Sequence, residues 1–351
     1  MSDIQKLTYY VLNYFSKGAW QSVMWEQKQV LVTGAGGFIG SHLTEALVKA
    51  GAKVRVFIRY NSSDGRGNLV DLEPNVLEQI EIIAGDLRDV DAIERSVKGC
   101  NAVFHLGALV GIPYSYKNPR EVVETNIMGT FNVLTAARDH GVDRIVHTST
   151  SEVYGSARYV PIDEAHPLQG QSPYSASKIG ADMLAESFHA SFELPVVTIR
   201  PFNCYGPRQS ARAIIPTLIT QAIACEVIRL GNTDARRDFT FVTDTAAAFM
   251  KAAEIPEAVG KVINVGSGQE ISIGQLAQII INTVEGTGKI VVDEARIRPV
   301  KSEVNRLLAD NRLAREILGW EPTVSLEEGI KRTVAWITTH MNRFQVGKYQ
   351  I

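Results

Sequence analysis

The sequence predicts an α/β protein, with a doubly wound parallel sheet joined to a smaller interleaved α/β lobe. Three observations predict it. Short β-branched runs alternate with longer stretches of helical periodicity, a glycine-rich turn separates the first strand from the first helix, and the 351 residues exceed what one small domain needs. Hydrophobic residues at 45% and charged residues at 21% are ordinary usage for a chain with a large core. The net charge of -2 gives no reason to expect nucleic acid as a partner.

Residues 1–28 read as an N-terminal helical extension. Leu7, Tyr10, Val11, Tyr14 and Phe15 fall three or four apart, and a second apolar patch follows at Trp20, Val23, Met24 and Trp25. This segment is expected to pack back on the body or on a neighbouring subunit. The rhythm then becomes strand, helix, strand: Val30 to Thr33, a helix from near Phe38 through Val48, and Lys53 to Ile58. Further strands are expected at Glu81 to Ile83, Ala102 to Leu106, Arg144 to Thr148 and Val196 to Ile199, with connections long enough for parallel crossovers. A helix at Phe241 to Ala253 and a buried strand at Val262 to Val265 complete the pattern. Residues 29–202 and 241–268 are thereby assigned to the sheet domain, 203–240 and 269–340 to the second lobe, and 341–351 to a polar tail. A lobe assembled from separate pieces should not survive a cut at one boundary.

Gly34-Ala35-Gly36-Gly37-Phe38-Ile39-Gly40 follows the first strand directly and opens the first helix. Glycines there permit a tight turn, close backbone approach to a pyrophosphate and close helix packing, and the helix N-terminus faces the negative charge. In this strand-loop-helix-strand context the loop marks a Rossmann-like dinucleotide site in which Gly34, Gly37, Phe38, Ile39 and Gly40 hold the cofactor. Leu106 and the pair Asp86-Leu87, each at the end of a neighbouring strand, are assigned to the same surface. Asp86 has two readings, an acceptor on the adenine side or a helix cap. The second strand ends in Arg59-Tyr60-Asn61-Ser62-Ser63 and lacks the acidic residue that favours NAD. Arg59 is either a phosphate contact or a solvated surface cation, so NAD is expected with NADP left open.

Tyr174 and Lys178 are four residues apart and share a face if the segment is helical. Lys178 can then stabilise the phenolate of Tyr174 and hold the nicotinamide ribose, making Tyr174 the base for a hydroxyl being oxidised. Thr150, at the carboxyl end of the run Arg144 to Thr148, can hydrogen-bond that hydroxyl. Hydride transfer needs no further carboxylate. A buried Glu152 beside this centre therefore points to proton abstraction from a neighbouring carbon; the alternative is a cap or loop salt bridge.

The glycine loop, Ser149-Thr150-Ser151-Glu152-Val153-Tyr154-Gly155, the Tyr174 to Lys178 pentad and Arg200-Pro201-Phe202-Asn203-Cys204-Tyr205-Gly206-Pro207-Arg208 together resemble the extended short-chain dehydrogenase/reductase family, from Gln29 to Trp336. Within it the chain is most similar to nucleotide-sugar 4,6-dehydratases, specifically the configuration-retaining UDP-N-acetylglucosamine 4,6-dehydratases of legionaminic-type sugar pathways. The stretches from Tyr159 to Glu164, His166 to Pro173 and Arg298 to Val304 carry that closer likeness. The resemblance implies oxidation at sugar C4, removal of the C5 proton by Glu152, loss of water from C6, and return of the hydride to C6, so the cofactor is tightly held and regenerated each turnover. Many hexose dehydratases carry Asp where this chain has Ser151. GDP-mannose 4,6-dehydratases and UDP-xylose-forming decarboxylases resemble this chain in having Thr-Ser-Glu, so a UDP-hexuronic acid decarboxylase is the alternative, and a 4-epimerase a weaker one. The resemblance further implies Asn203, Arg237 and Arg298 as contacts to the diphosphate of a UDP-linked sugar, a role a guanidinium fork suits. It also implies a homodimer through a four-helix bundle of the helices near Val122 to Arg138 and Ser175 to Phe192.

Cys100, Cys204 and Cys225 are too scattered for zinc and read as inert buried thiols of a cytoplasmic protein. His105 and His147 lie inside apolar strand patterns and read as packed, hydrogen-bonded residues, so no metal is expected. No stretch approaches the roughly 20 apolar residues of a membrane span.

Overall fold

The computed structural model describes residues 24–60, 65–296 and 304–347. The expected N-terminal helix, Asn61 to Ser63, Arg298 and the last four residues lie outside the described residues.

The chain forms β1 (Gln29–Thr33), β2 (Lys53–Arg59), β3 (Ile80–Gly85), β4 (Ala102–His105), β5 (Arg144–Thr148), β6 (Val196–Pro201) and β7 (Asn203–Tyr205). After these come β8 (Val227–Leu230), β9 (Arg236–Phe241), β10 (Val262–Val265), β11 (Glu270–Ser272), β12 (Lys289–Val292) and β13 (Arg306–Leu307). Seven strands make a parallel sheet in the order β10-β6-β5-β4-β1-β2-β3. Strand order reverses between β1 and β4, and the carboxyl ends at that switch point form the crevice where such sheets bind ligands.

Alternation along β1 shows why both faces are covered. Val30 and Val32 pack under the helices Phe38–Lys49 and Val242–Glu254, through Leu43, Leu47, Ala246 and Phe249. Leu31, between them, joins Ile93, Val133 and Phe188 on the opposite face, under the helices Val90–Val97, Gly129–Asp139 and Pro173–Phe192. Trp25 is 4% exposed and lies 5.8 Å from Phe104, so this end of the N-terminal patch packs on the body; Met24 is exposed.

The smaller lobe is interleaved as expected. Its β9 pairs with β7 and β13 in parallel and with β11 antiparallel, while β8 and β12 pair separately. A third apolar cluster, including Leu218, Leu230, Phe239, Leu276 and Ile330, fills it. Among the described residues no helix is long and apolar enough to cross a membrane.

Candidate active site

The turn after β1 leaves no room for a side chain at its glycines. Gly34 has φ of +69°, and a Cβ there would lie 2.8 Å from Gly107; a Cβ on Gly40 would lie 2.3 Å from the Gly34 carbonyl oxygen. The helix beginning at Phe38 has Gly37 as its N-cap and no side chain capping its first amides. Its amide donors and the positive end of its dipole are thus left for an anion, which fits a dinucleotide pyrophosphate. Across the crevice Thr33 Oγ1 accepts from the Gly107 amide at 3.0 Å, fixing the turn that follows Leu106.

Arg59 and Asp86 stand side by side at the carboxyl ends of β2 and β3. Arg59 Nη2 lies 3.1 Å from Glu121 Oε1, so it is an ion-paired residue and not merely a solvated one. Asp86 accepts from the Arg88 guanidinium at 2.7 and 2.9 Å. That hydrogen bond holds its carboxyl below the ordinary range. The helix-cap reading of Asp86 is corrected, because the next helix is capped by Asp89, whose carboxylate accepts from the Ala92 amide. Leu87 turns inward against Gly129, and its carbonyl accepts from Asn132 at 2.9 Å.

Tyr174 and Lys178 sit in the first turns of a helix begun by a Ser172–Ser175 capping box with Pro173 at its start. Both are buried, as are Ser151 and Tyr154. Burial pushes the Tyr174 phenol above its usual range; a hydrogen bond with Thr150 opposes this, and the charge of Glu152 adds to the rise. Thr150 and Glu152 thus lie near enough to act on the Tyr174 phenol. Lys178 couples chiefly to Asp182, one turn further along, instead of to the phenol. Burial pushes its ammonium down to about 8.

Glu152 is half-buried where full burial was expected. Thr150, at the end of the β5 connection, caps the short 3-10 turn Ser151–Tyr154, accepting from the Glu152 amide at 3.2 Å. The carboxylate of Glu152 is thus neither the cap nor part of an ion pair found among the described residues.

Asn126 was not singled out in the sequence. It is buried on a π turn, Glu124–Met128, inside what periodicity reads as one continuous helix. Its side chain bonds Ser177 Oγ at 2.9 Å and both backbone groups of Leu109, at 2.7 and 3.1 Å, tying the Tyr174 helix to the loop after β4. Its neighbours Glu124, Thr125, Thr130 and Asn132 are polar as well, so the sequence carried no signal that set it apart. His105 is packed as expected, between Thr33 at 2.8 Å and Thr130 at 3.0 Å. Burial pushes up the thiols of Cys100 and Cys204, as the buried reading expects, whereas Cys225 is partly exposed, which corrects that reading for this residue.

Asn203 and Arg237 reach the same sheet of the second lobe, the former donating to the Asp238 carbonyl at 3.2 Å. Arg237 is buried, whereas neighbouring Arg236 takes the ion pair with Glu270. The loop after β7 is pinned to the cofactor-side helix by Arg208 on Glu45 at 2.7 Å and His42 on the Pro207 carbonyl at 2.9 Å.

The sequence matches the family described as GDP-mannose 4,6 dehydratase over residues 31–333. It is 32% identical over 314 residues to a protein of Methanocaldococcus jannaschii named as a putative UDP-glucose 4-epimerase, covering 88% of this chain and 98% of that one. Among solved structures, a UDP-N-acetylglucosamine 4-epimerase from Methanobrevibacter ruminantium superposes with a TM-score of 0.82 at 31% identity, covering 90% of this chain and 100% of the other. A dTDP-glucose 4,6-dehydratase from Streptomyces venezuelae, solved with NAD bound, gives 0.80 at 30% identity, covering 90% and 99%. Epimerases and dehydratases of nucleotide sugars thus share this framework, and the chain is an NAD(P)-using enzyme of the extended short-chain dehydrogenase/reductase fold, belonging to the nucleotide-sugar 4,6-dehydratase/epimerase family.

Proposed function

We propose that the protein is a nucleotide-sugar 4,6-dehydratase that converts UDP-N-acetylglucosamine to its 4-keto-6-deoxy derivative. One observation carries the reading: Glu152 is a carboxylate with no ion partner among the described residues, next to Thr150 and electrostatically coupled to Tyr174. Epimerisation at C4 has no use for such a base. When bound, the oxidised nicotinamide accepts a hydride from C4 and returns it to C6.

Tyr174, whose phenolate the positive charge of a bound oxidised nicotinamide would favour, takes the O4 proton, with Thr150 orienting that hydroxyl and Lys178 holding the nicotinamide ribose. The resulting ketone acidifies the C5 hydrogen, which Glu152 removes. The C6 hydroxyl leaves as water with the proton Glu152 has gained, relayed past Ser151, and C5 takes up a proton that replaces, through solvent, the one Tyr174 took from O4, so both groups end the cycle as they began. The cofactor is tightly held and ends each turnover oxidised.

NAD is the proposed form, supported by the engagement of Arg59 with Glu121. Asn203, Arg237 and Arg298 are proposed to hold the diphosphate. The exposed Met128, Phe131, Met183 and Phe192, on the two helices expected at a four-helix interface, support a homodimer.

Mass spectrometry after incubation with UDP-N-acetylglucosamine or UDP-glucuronic acid tests this. Loss of one water from the first is expected. An unchanged mass with C4 inverted identifies an epimerase, and carbon dioxide from the second alone identifies a decarboxylase; either result overturns the proposal. Glu152→Gln should slow dehydration on the order of 100-fold or more while added substrate still reduces the bound cofactor, seen by near-ultraviolet absorbance. Undiminished dehydration would assign the C5 proton to another group.

A further inference from the structure

Tyr174, Lys178 and Asp182 follow one another at four-residue spacing in the Pro173–Phe192 helix, so they share one face. Asp182 is only 3% exposed. It accepts from His147 Nε2 at 3.1 Å, Ser149 Oγ at 2.7 Å, and Arg200 Nε and Nη2 at 3.2 and 2.9 Å. Burial works to raise the Asp182 carboxyl; the His147 hydrogen bond and the Arg200 and Lys178 charges outweigh it and keep it ionised. Arg200 continues to the Tyr154 hydroxyl at 3.0 Å, and Tyr154 donates to Asn264 at 2.7 Å. His147 of β5, Ser149 just after it and Arg200 of β6 therefore fix this carboxylate, and Tyr154, held by Asn264 of β10, supports Arg200 in turn.

A buried ion pair is weak evidence for stability, because a packed apolar pair can replace it at little cost. What this one supplies is a fixed anion one turn from Lys178. The charged and titratable groups around that ammonium are Asp182 from its own helix, His105 from β4, His147 from β5 and, through Asp182, Arg200 from β6; Tyr174 shares its helix face, with Glu152 beyond it. Burial keeps both histidines neutral, lowering their pKa values. The charge that favours an ionised lysine in this setting is Asp182.

We infer that Asp182, clamped by His147, Ser149 and Arg200 one helical turn from Lys178, is a positioning residue that holds a fixed negative charge near the Lys178 ammonium and so keeps it charged for the reaction. Its kinetic consequence rests on the dehydratase reading; its effect on Lys178 does not. A cationic role for Lys178 is present below its pKa and lost as pH rises through it, so removing Asp182 should move that loss to lower pH.

The test uses the full chain with its cofactor bound, as wild type, D182N, D182E and the double variant D182N/R200Q. Lys178 is titrated by nuclear magnetic resonance on protein labelled at lysine Cε, its signal identified by disappearance in K178M. The midpoint should fall by about one pH unit in D182N and in the double variant, and recover in D182E. The alkaline limb of the kcat profile should move with it, with kcat at neutral pH falling severalfold and KM little changed. The double variant leaves no stranded arginine, so it decides the matter if D182N does not fold. An unmoved Lys178 midpoint in a folded variant overturns the inference, as does a lower kcat with an unshifted alkaline limb. If wild type transforms no nucleotide sugar, the proposed function fails, and the Lys178 titration alone decides.

Discussion

Beside the cofactor crevice, Gly34 and Gly40 shape the turn by close backbone approach, and neighbouring strands hold it through a regular parallel ladder. The second lobe is tied to the sheet domain differently, through single buried carboxylates. Asp238 accepts from the amides of Ser267, Gly268 and Ala309 at 2.7, 2.9 and 3.1 Å and from the Ser267 hydroxyl at 2.6 Å. From the sheet-domain helix Val242–Glu254, Asp244 likewise accepts from Thr323 and Val324 of the second lobe, and its carbonyl accepts from Trp320. A glycine turn is a local device whose failure stays local. A carboxylate that gathers distant segments links the fate of all of them.

The strongest way to break that distinction is Asp238→Ala, which strands three amides and a hydroxyl. It should cost about 4 kcal/mol by denaturant unfolding, with new proteolytic cleavage in the second lobe. A loss below about 1 kcal/mol would mean the segments hold without the carboxylate. Gly40→Ala comes next: relieving its 2.3 Å approach should cost about 2 kcal/mol and weaken NADH binding at least tenfold, with the second lobe still protease-resistant. Unchanged binding would refute the assignment of this turn to the cofactor. The smallest effect is expected from Glu121→Gln, which releases Arg59 at an exposed pair. The ratio of NADP to NAD affinity should rise a few-fold with no change in melting temperature, since such pairs contribute little to stability. A constant ratio would show that Arg59 does not face the ribose phosphate.

The cofactor side was legible in the sequence because its devices are local. Arg144–Thr148 and Val262–Val265 were read to the residue from short β-branched runs between polar segments. The strand read as Glu81 to Ile83 extends instead from Ile80 to Gly85, where pairing with β2 overrides the weak strand preference of Ala84 and Gly85. The π turn that swings Asn126 toward Ser177 leaves no mark in helical periodicity. The second lobe was legible as interleaved pieces, but not through Asp238 or Asp244, since a carboxylate facing amides more than twenty residues away looks like any other acid in sequence. Asp182 was hidden in the same way. Its spacing from Lys178 was visible, whereas the convergence of His147, Ser149 and Arg200 upon it required three-dimensional structure.

The late position of β10 has a consequence for synthesis. In the finished molecule β10 pairs with β6 from Thr198 to Pro201 and covers that edge, yet β10 is translated only after residues 203–261. Throughout that interval a nascent chain offers β6 as an apolar strand with unsatisfied amides and carbonyls, the kind of edge that recruits other chains. The enzyme's exposure to self-association during manufacture is thereby set by the order in which its parts leave the ribosome, and ends only when Val262 to Val265 arrive.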